Sequence, residues 1–139
     1  MQNADPGSEL IALTVQALLD ADEGFNEFER RIECCCTAFE DGNDSRGHTE
    51  LAGLVAPLGE FARFCSTITE NCRPWLSSET AARLADANRQ LQNALRSIVA
   101  EAEDRNCIGI GDACRIDLAG ALYIYRKLFP QMAAELKRQ

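Results

Sequence analysis

The chain has 139 residues, of which 46% are hydrophobic and 26% charged, with 22 acidic against 14 basic side chains and a formal charge of −8. This is enough apolar material for one buried core, and it argues against wholesale disorder. The acidic balance excludes a general nucleic-acid binder, which needs basic surface to meet phosphates, and the single His excludes multi-His metal sites.

The charge is unevenly placed. Residues 1–50 hold twelve acids and three bases, a net of −9, whereas residues 51–139 carry +1. The N-terminal stretch from Met1 to Gly7 has no Lys or Arg ahead of an apolar segment. Leu10–Leu19 is interrupted by Thr14 and Gln16 and is shorter than the roughly 20 apolar residues a membrane helix needs. The reading is a soluble cytoplasmic protein that contacts no membrane.

The first helix is predicted from Pro6 to Glu40. Its stripe runs Ile11, Val15, Leu18, Ala21, Phe25, Phe28, Ile32, Cys35 or Cys36, and Phe39, at the 3-4 spacing of one helical face. Asp5 before Pro6 is a good cap, and Gly42 in the following polar loop is a good stop.

The second helix is expected to start near Thr49, with Leu51, Leu54 or Val55, Leu58, Phe61, Cys65, Ile68 and Cys72 inward. Pro57 lies inside it. Proline has no N–H and crowds the carbonyl four residues back, which belongs to Gly53, so a kink or break is expected. The third helix starts at Ser77 or Ser78, with Glu79 in its first turn, and fades at Asp104-Arg105-Asn106. Gly109-Ile110-Gly111 reads as a linker. The fourth helix is expected from about Asp112, with Cys114, Leu118, Ala121 or Leu122, Tyr125, Leu128 or Phe129, Met132 and Leu136 inward, and Pro130 bending or dividing it.

Four amphipathic helices joined by short loops predict an all-α fold: an up-down-up-down four-helix bundle forming a single domain over residues 1–139, with a long first helix.

Seven cysteines, Cys34, Cys35, Cys36, Cys65, Cys72, Cys107 and Cys114, are the unusual feature. An odd count and no export signal argue against a disulfide framework. No Cys-x-x-Cys occurs. Cys65 and Cys72, like Cys107 and Cys114, are seven residues apart; on a helix that is roughly 10.5 Å of rise, too far for one zinc. Most of these residues read as small apolar core groups. Three adjacent helical residues, however, fan over about 200° of the surface. The Cys34–Cys36 run is therefore expected to expose at least one thiol, available for redox chemistry or a soft metal. Glu33 beside it is expected to raise a thiol's pKa. The dense repeat of a copper-storing bundle is missing.

No other chemistry-bearing pattern emerges. His48 has no Glu three residues before it, so the di-iron signature is absent. No phosphate-binding glycine motif occurs. Neither a cofactor nor a bound metal is expected. Of Tyr123 and Tyr125, which face apart, one should reach the surface.

In length, acidity and helical content the chain resembles small bacterial export chaperones that hold flagellin. That resemblance implies capture of an amphipathic segment. The leading reading is a non-catalytic interaction module that binds a partner protein or an amphipathic helix or forms a homodimer. Asp20, Glu23 and Glu27 share one outer side of the first helix, which reads first as a solvated face and in the alternative as a docking face for a basic partner. The rival is a thiol-based redox bundle. An exposed patch built on Phe64, Val99 and Ile124 would favour the first. An enclosed pocket gathering a Cys with an acid or His48 would favour the second.

Overall fold

The computed structural model describes residues 6–138, and the backbone alone for Pro6. Helix α1 spans Pro6–Glu40, α2 Asp44–Cys72 and α3 Ser78–Glu103, with a 3-10 turn over Arg73–Trp75 after α2. The fourth arm is composite: α4 over Cys107–Asp112, a π-helical segment over Ala113–Leu118, and α5 over Ala119–Lys137. No strand occurs among the described residues. Helix α1 packs on α2 and α5, and α3 packs on α5 and α2. These contacts close the ring of an up-down-up-down four-helix bundle.

The α1 stripe is the backbone of the core. Val15, Leu18, Phe25, Phe28, Ile32, Cys35, Cys36 and Phe39 are buried, and Ile11 and Ala21 pack at its margin. At mid-bundle, Phe25, Phe61, Tyr125 and Phe129 from α1, α2 and α5 form an aromatic cluster with ring centroids 5.1–6.1 Å apart. Helix α1 ends where expected: Gly42 takes a φ of 77°, the left-handed conformation that closes the turn without a Cβ clash. Asp5, the expected cap at the other end, lies outside the described residues.

Helix α2 starts at Asp44, not Thr49. Asn43 is the cap, its side chain accepting from the Arg46 N–H at 3.2 Å, while Thr49 donates back to the Ser45 carbonyl inside the helix. Pro57 does not break α2, which is continuous through it, and Pro130 likewise lies inside α5. The segment Asp44–Trp75 contains an 18-residue window of mean hydropathy 1.2, long and apolar enough to cross a membrane by length and composition alone. Its Leu51, Leu54, Leu58, Cys65 and Ile68 lie in the bundle core.

Ser77 caps α3 by accepting from the Thr80 N–H. The fourth arm begins at Cys107, capped by Asn106, five residues before the expected start. Gly109-Ile110-Gly111 is helical, not a linker, and Ile110 is fully buried. Buried Ile110, Cys114, Leu118 and Leu122 are each four residues apart. An α-turn drifts sideways at that spacing, and the wider i→i+5 turn of the π segment keeps these residues on one face.

Candidate functional site: a buried thiol cluster

Helix α1 is flanked by α2 on one side and by the fourth arm on the other, so two adjacent residues can both be buried. Of the three candidate exposed thiols, Cys35 and Cys36 are buried and so are removed from that set, which leaves half-buried Cys34. Cys35 faces the start of α2 and donates from Sγ to the Gly47 carbonyl at 3.5 Å. That close approach is set by Phe39: a Cβ on residue 47 would come within 2.6 Å of its ring. Cys36 faces the fourth arm, its Sγ 3.9 Å from the Gly111 carbonyl. Cys34 is half-buried. It lines an open groove of about 530 Å³ with Arg30, Thr37, Asn43 and Arg46.

Cys114, in the π segment, completes the cluster. Its buried thiol interacts with those of Cys35 and Cys36. Its neighbours Cys35 and Cys36, together with burial, raise the Cys114 pKa, so this thiol keeps its proton. The neighbouring Cys114 thiol lowers Cys36, against the opposing effect of burial, and the Arg115 charge adds to it. Glu33 and Glu40 pull Cys36 upward but do not prevail; the neighbour effect anticipated for Glu33 has the right sign and is outweighed. Cys35 is lowered by Cys114 too, but has the negative charge of Glu50 as its side-chain neighbour in place of Arg115.

Cys36 also opens onto a cavity of about 180 Å³ lined by Phe39, Glu40, Cys107, Asp112 and Arg115 among others. Arg115 is held there by Glu33 at 2.7 Å and Glu40 at 2.5 Å. Cys107 is half-buried in the same cavity wall, and burial followed by the Asp44 charge pushes its thiol up.

The remaining cysteines differ in kind. Cys65 is buried away from any other thiol, and desolvation pushes it up to about 12. Cys72 is likewise buried and raised by desolvation. Both fit core packing. Tyr125, the buried member of the tyrosine pair, donates to Asn88 at 2.6 Å, and Asn88 donates to Thr69 at 2.7 Å. Tyr123 is exposed. His48 is exposed and lies edge-on to the Phe39 ring.

The expected docking face is only partly free. Asp20 and Glu23 are exposed. Glu27 is engaged by Arg30 at 2.5 Å and Arg31 at 2.9 Å, and those hydrogen bonds hold its pKa at about 2. Elsewhere on α1, Asp22 and Glu29 pair with Arg126, as Glu33 and Glu40 do with Arg115. Much of the acidic excess of α1 is thus matched by bases on the fourth arm. Phe64 and Ile124 pack against the core and only Val99 of that trio is exposed, so the three do not form a surface patch.

Sequence reasoning found the Cys34–Cys36 run but missed Cys114 and Arg115 as its partners. The signal for Cys114 was its place in the four-residue series from Ile110 to Leu122. The residues it meets are set only by packing of the fourth arm on α1. Among the described residues, no group of three or more His, Cys, Asp or Glu is arranged to hold a metal ion. No known family, curated protein or solved structure matches the chain.

Proposed function

We propose that this bundle is a thiol-based redox module whose working groups are Cys35, Cys36 and Cys114. The observation that supports it is that Cys36 lines a cavity together with Arg115, while Cys35 and Cys114, buried beneath the surface, interact with Cys36. Core filling alone needs no cation beside the thiol, and Cys65 and Cys72, raised by desolvation, show what core filling looks like here. A nearby guanidinium favours the thiolate, and the thiolate is the reactive form. The nearby π turn is a feature often found at functional sites.

The test is oxidation of the native, full-length protein with hydrogen peroxide, followed by alkylation under denaturing conditions and peptide mapping. The reading requires loss of free thiol at the cluster, reversed by dithiothreitol, while Cys65 and Cys72 stay reduced. A cluster that remains fully alkylatable would sink it.

A further inference from the structure

We infer that the outer side of α3 binds a small aliphatic carboxylate, with its headgroup at Arg96 and its chain along Leu95 and Val99. The site uses none of the thiols, so it stands or falls apart from the redox reading.

Two adjoining cavities carry the inference. The first, of about 220 Å³, lies between α2, α3 and α5, with the exposed polar side chains Ser66, Gln92 and Arg96 in its wall and buried Ala62, Leu91 and Tyr125 beneath them. The Tyr125 hydroxyl donates to Asn88, which donates in turn to Thr69, so the polar atoms at its base are fixed in place. The second, of about 310 Å³, is an open shelf on α3 that Leu95, Val99 and Ala100 line, with Glu103 at one end. Gln92 and Arg96 line both cavities, so a single ligand can touch the two.

Charge selects the headgroup. The chain carries −8 overall, yet no acidic side chain lines the first cavity. Of its two guanidiniums, that of Arg89 is held by Asp86 at 2.6 Å. That of Arg96 reaches only the Asn93 amide oxygen, at 3.3 Å, and pairs with no carboxylate among the described residues. A guanidinium binds a carboxylate through two parallel N–H···O bonds, and one free positive charge matches one carboxylate. The larger groove beside Cys34 has no such sign, since Glu33 and Asp41 line it along with Arg30 and Arg46.

The shelf selects the rest of the molecule. Val99 is 51% exposed and Leu95 half-buried, and covering them calls for an apolar chain. Gln92, Arg96, Val99 and Glu103 follow one another at helical spacing, so they share a face of α3. From Arg96 to Glu103 the helix rises roughly 10.5 Å. That length suits a short to medium chain and falls short of a long-chain lipid. The Glu103 charge repels a carboxylate at the far end, which sets the headgroup at Arg96.

The experiment titrates the full-length protein with sodium octanoate, sodium butyrate and octan-1-ol, and follows the Arg96 Nε–H, the Gln92 side-chain amide and the Val99 methyl groups by NMR. Octanoate should shift all three saturably. A fully buried methylene is worth roughly fourfold in affinity, so on an open shelf the longer chain of octanoate should bind about tenfold more tightly than butyrate. Arg96 is exposed, so Arg96→Ala should keep the fold. It should weaken octanoate about tenfold and leave octan-1-ol unchanged. Arg89→Ala should weaken octanoate by less than about twofold, because that guanidinium is already paired. Equal affinity for octanoate and butyrate would overturn the assignment of an aliphatic ligand. Octan-1-ol binding as tightly as octanoate would overturn the carboxylate at Arg96. Shifts that grow linearly with concentration in the wild-type protein would overturn the site itself.

Discussion

Arg31 on α1 donates from Nη1 to the Gly53 carbonyl on α2 at 2.8 Å. In an uninterrupted α-helix that carbonyl would accept from the N–H of residue 57, which is Pro57 and has none. A side chain of the neighbouring helix thus replaces the missing donor, and α2 continues through a residue expected to interrupt it. Arg31→Ala should therefore lower stability by about 0.5–1.5 kcal/mol, the range for one hydrogen bond. Pro57→Ala should raise stability, since an interior Pro costs up to about 3 kcal/mol relative to Ala. In the Pro57→Ala background, residue 57 supplies its own N–H, so the cost of Arg31→Ala should shrink. Urea unfolding of the four proteins gives the coupling; strictly additive effects would show that Arg31 does not serve the proline gap.

Phe25 tests the core. Its ring lies 5.6 Å from Phe61 and 5.4 Å from Phe129, centroid to centroid, with the Arg126 guanidinium 5.9 Å from its face. Rings from α2 and α5 flank it, so the void left by truncation has few ways to collapse. Phe25→Ala should cost about 3–5 kcal/mol. A shift in chemical denaturation under about 0.5 kcal/mol, the usual surface value, would place Phe25 outside the core.

The stripe residues were legible because burial in a bundle repeats at helical spacing, and Val15 to Phe39 obeys it. The helix starts were less so. Asp44-Ser45-Arg46-Gly47 has loop composition, yet it forms the first turn of α2 because Asn43 caps it and Gly47 lets Phe39 approach. Gly109 and Gly111 similarly disguised a helix fixed by the burial of Ile110. The thiol cluster was legible only in half. Local geometry correctly implied that Cys34, Cys35 and Cys36 face different ways. It could not reveal that helices cover two of those directions, or that Cys114 stands where they meet.

Glu135 supplies a pH dependence. This buried carboxylate accepts from the Ser77 N–H at 2.6 Å, the Thr80 hydroxyl at 2.5 Å and Gln131 at 2.8 Å, fastening α5 to the start of α3. Burial alone would raise its pKa, but these donors outweigh burial and bring it down from 4.5 to about 2. A depressed folded-state pKa means the carboxylate stabilises the fold fully above about 4.5. That contribution is lost as pH falls from there towards about 2. Glu135→Gln should destabilise the protein at pH 7, and its deficit relative to wild type should narrow through that window. A pH-independent gap in urea midpoints would show that Glu135 acts by shape alone.

The outer side of α1 separates solubility from docking. Asp20 and Glu23 are exposed, and Asp20 accepts from Gln16 on its own helix at 2.9 Å. Glu27, the third member of the expected face, is bound by Arg30 and Arg31. Reversing all three charges therefore changes two things at once: it alters the surface potential and breaks a local ion cluster. The double change Asp20→Lys with Glu23→Lys isolates the first. It should leave stability within about 0.5 kcal/mol of wild type, as surface substitutions usually do. Adding Glu27→Lys should lower the urea midpoint further, because the introduced ammonium would face Arg30 and Arg31 as like charges at helical spacing. If the face docks a basic partner, the double variant should associate more slowly and lose much of the salt dependence of its on-rate, with little change in dissociation. The measurement is stopped-flow association at two ionic strengths with the partner recovered by affinity capture. On-rates identical to wild type at both would leave Asp20 and Glu23 as charges that keep the protein dispersed in water.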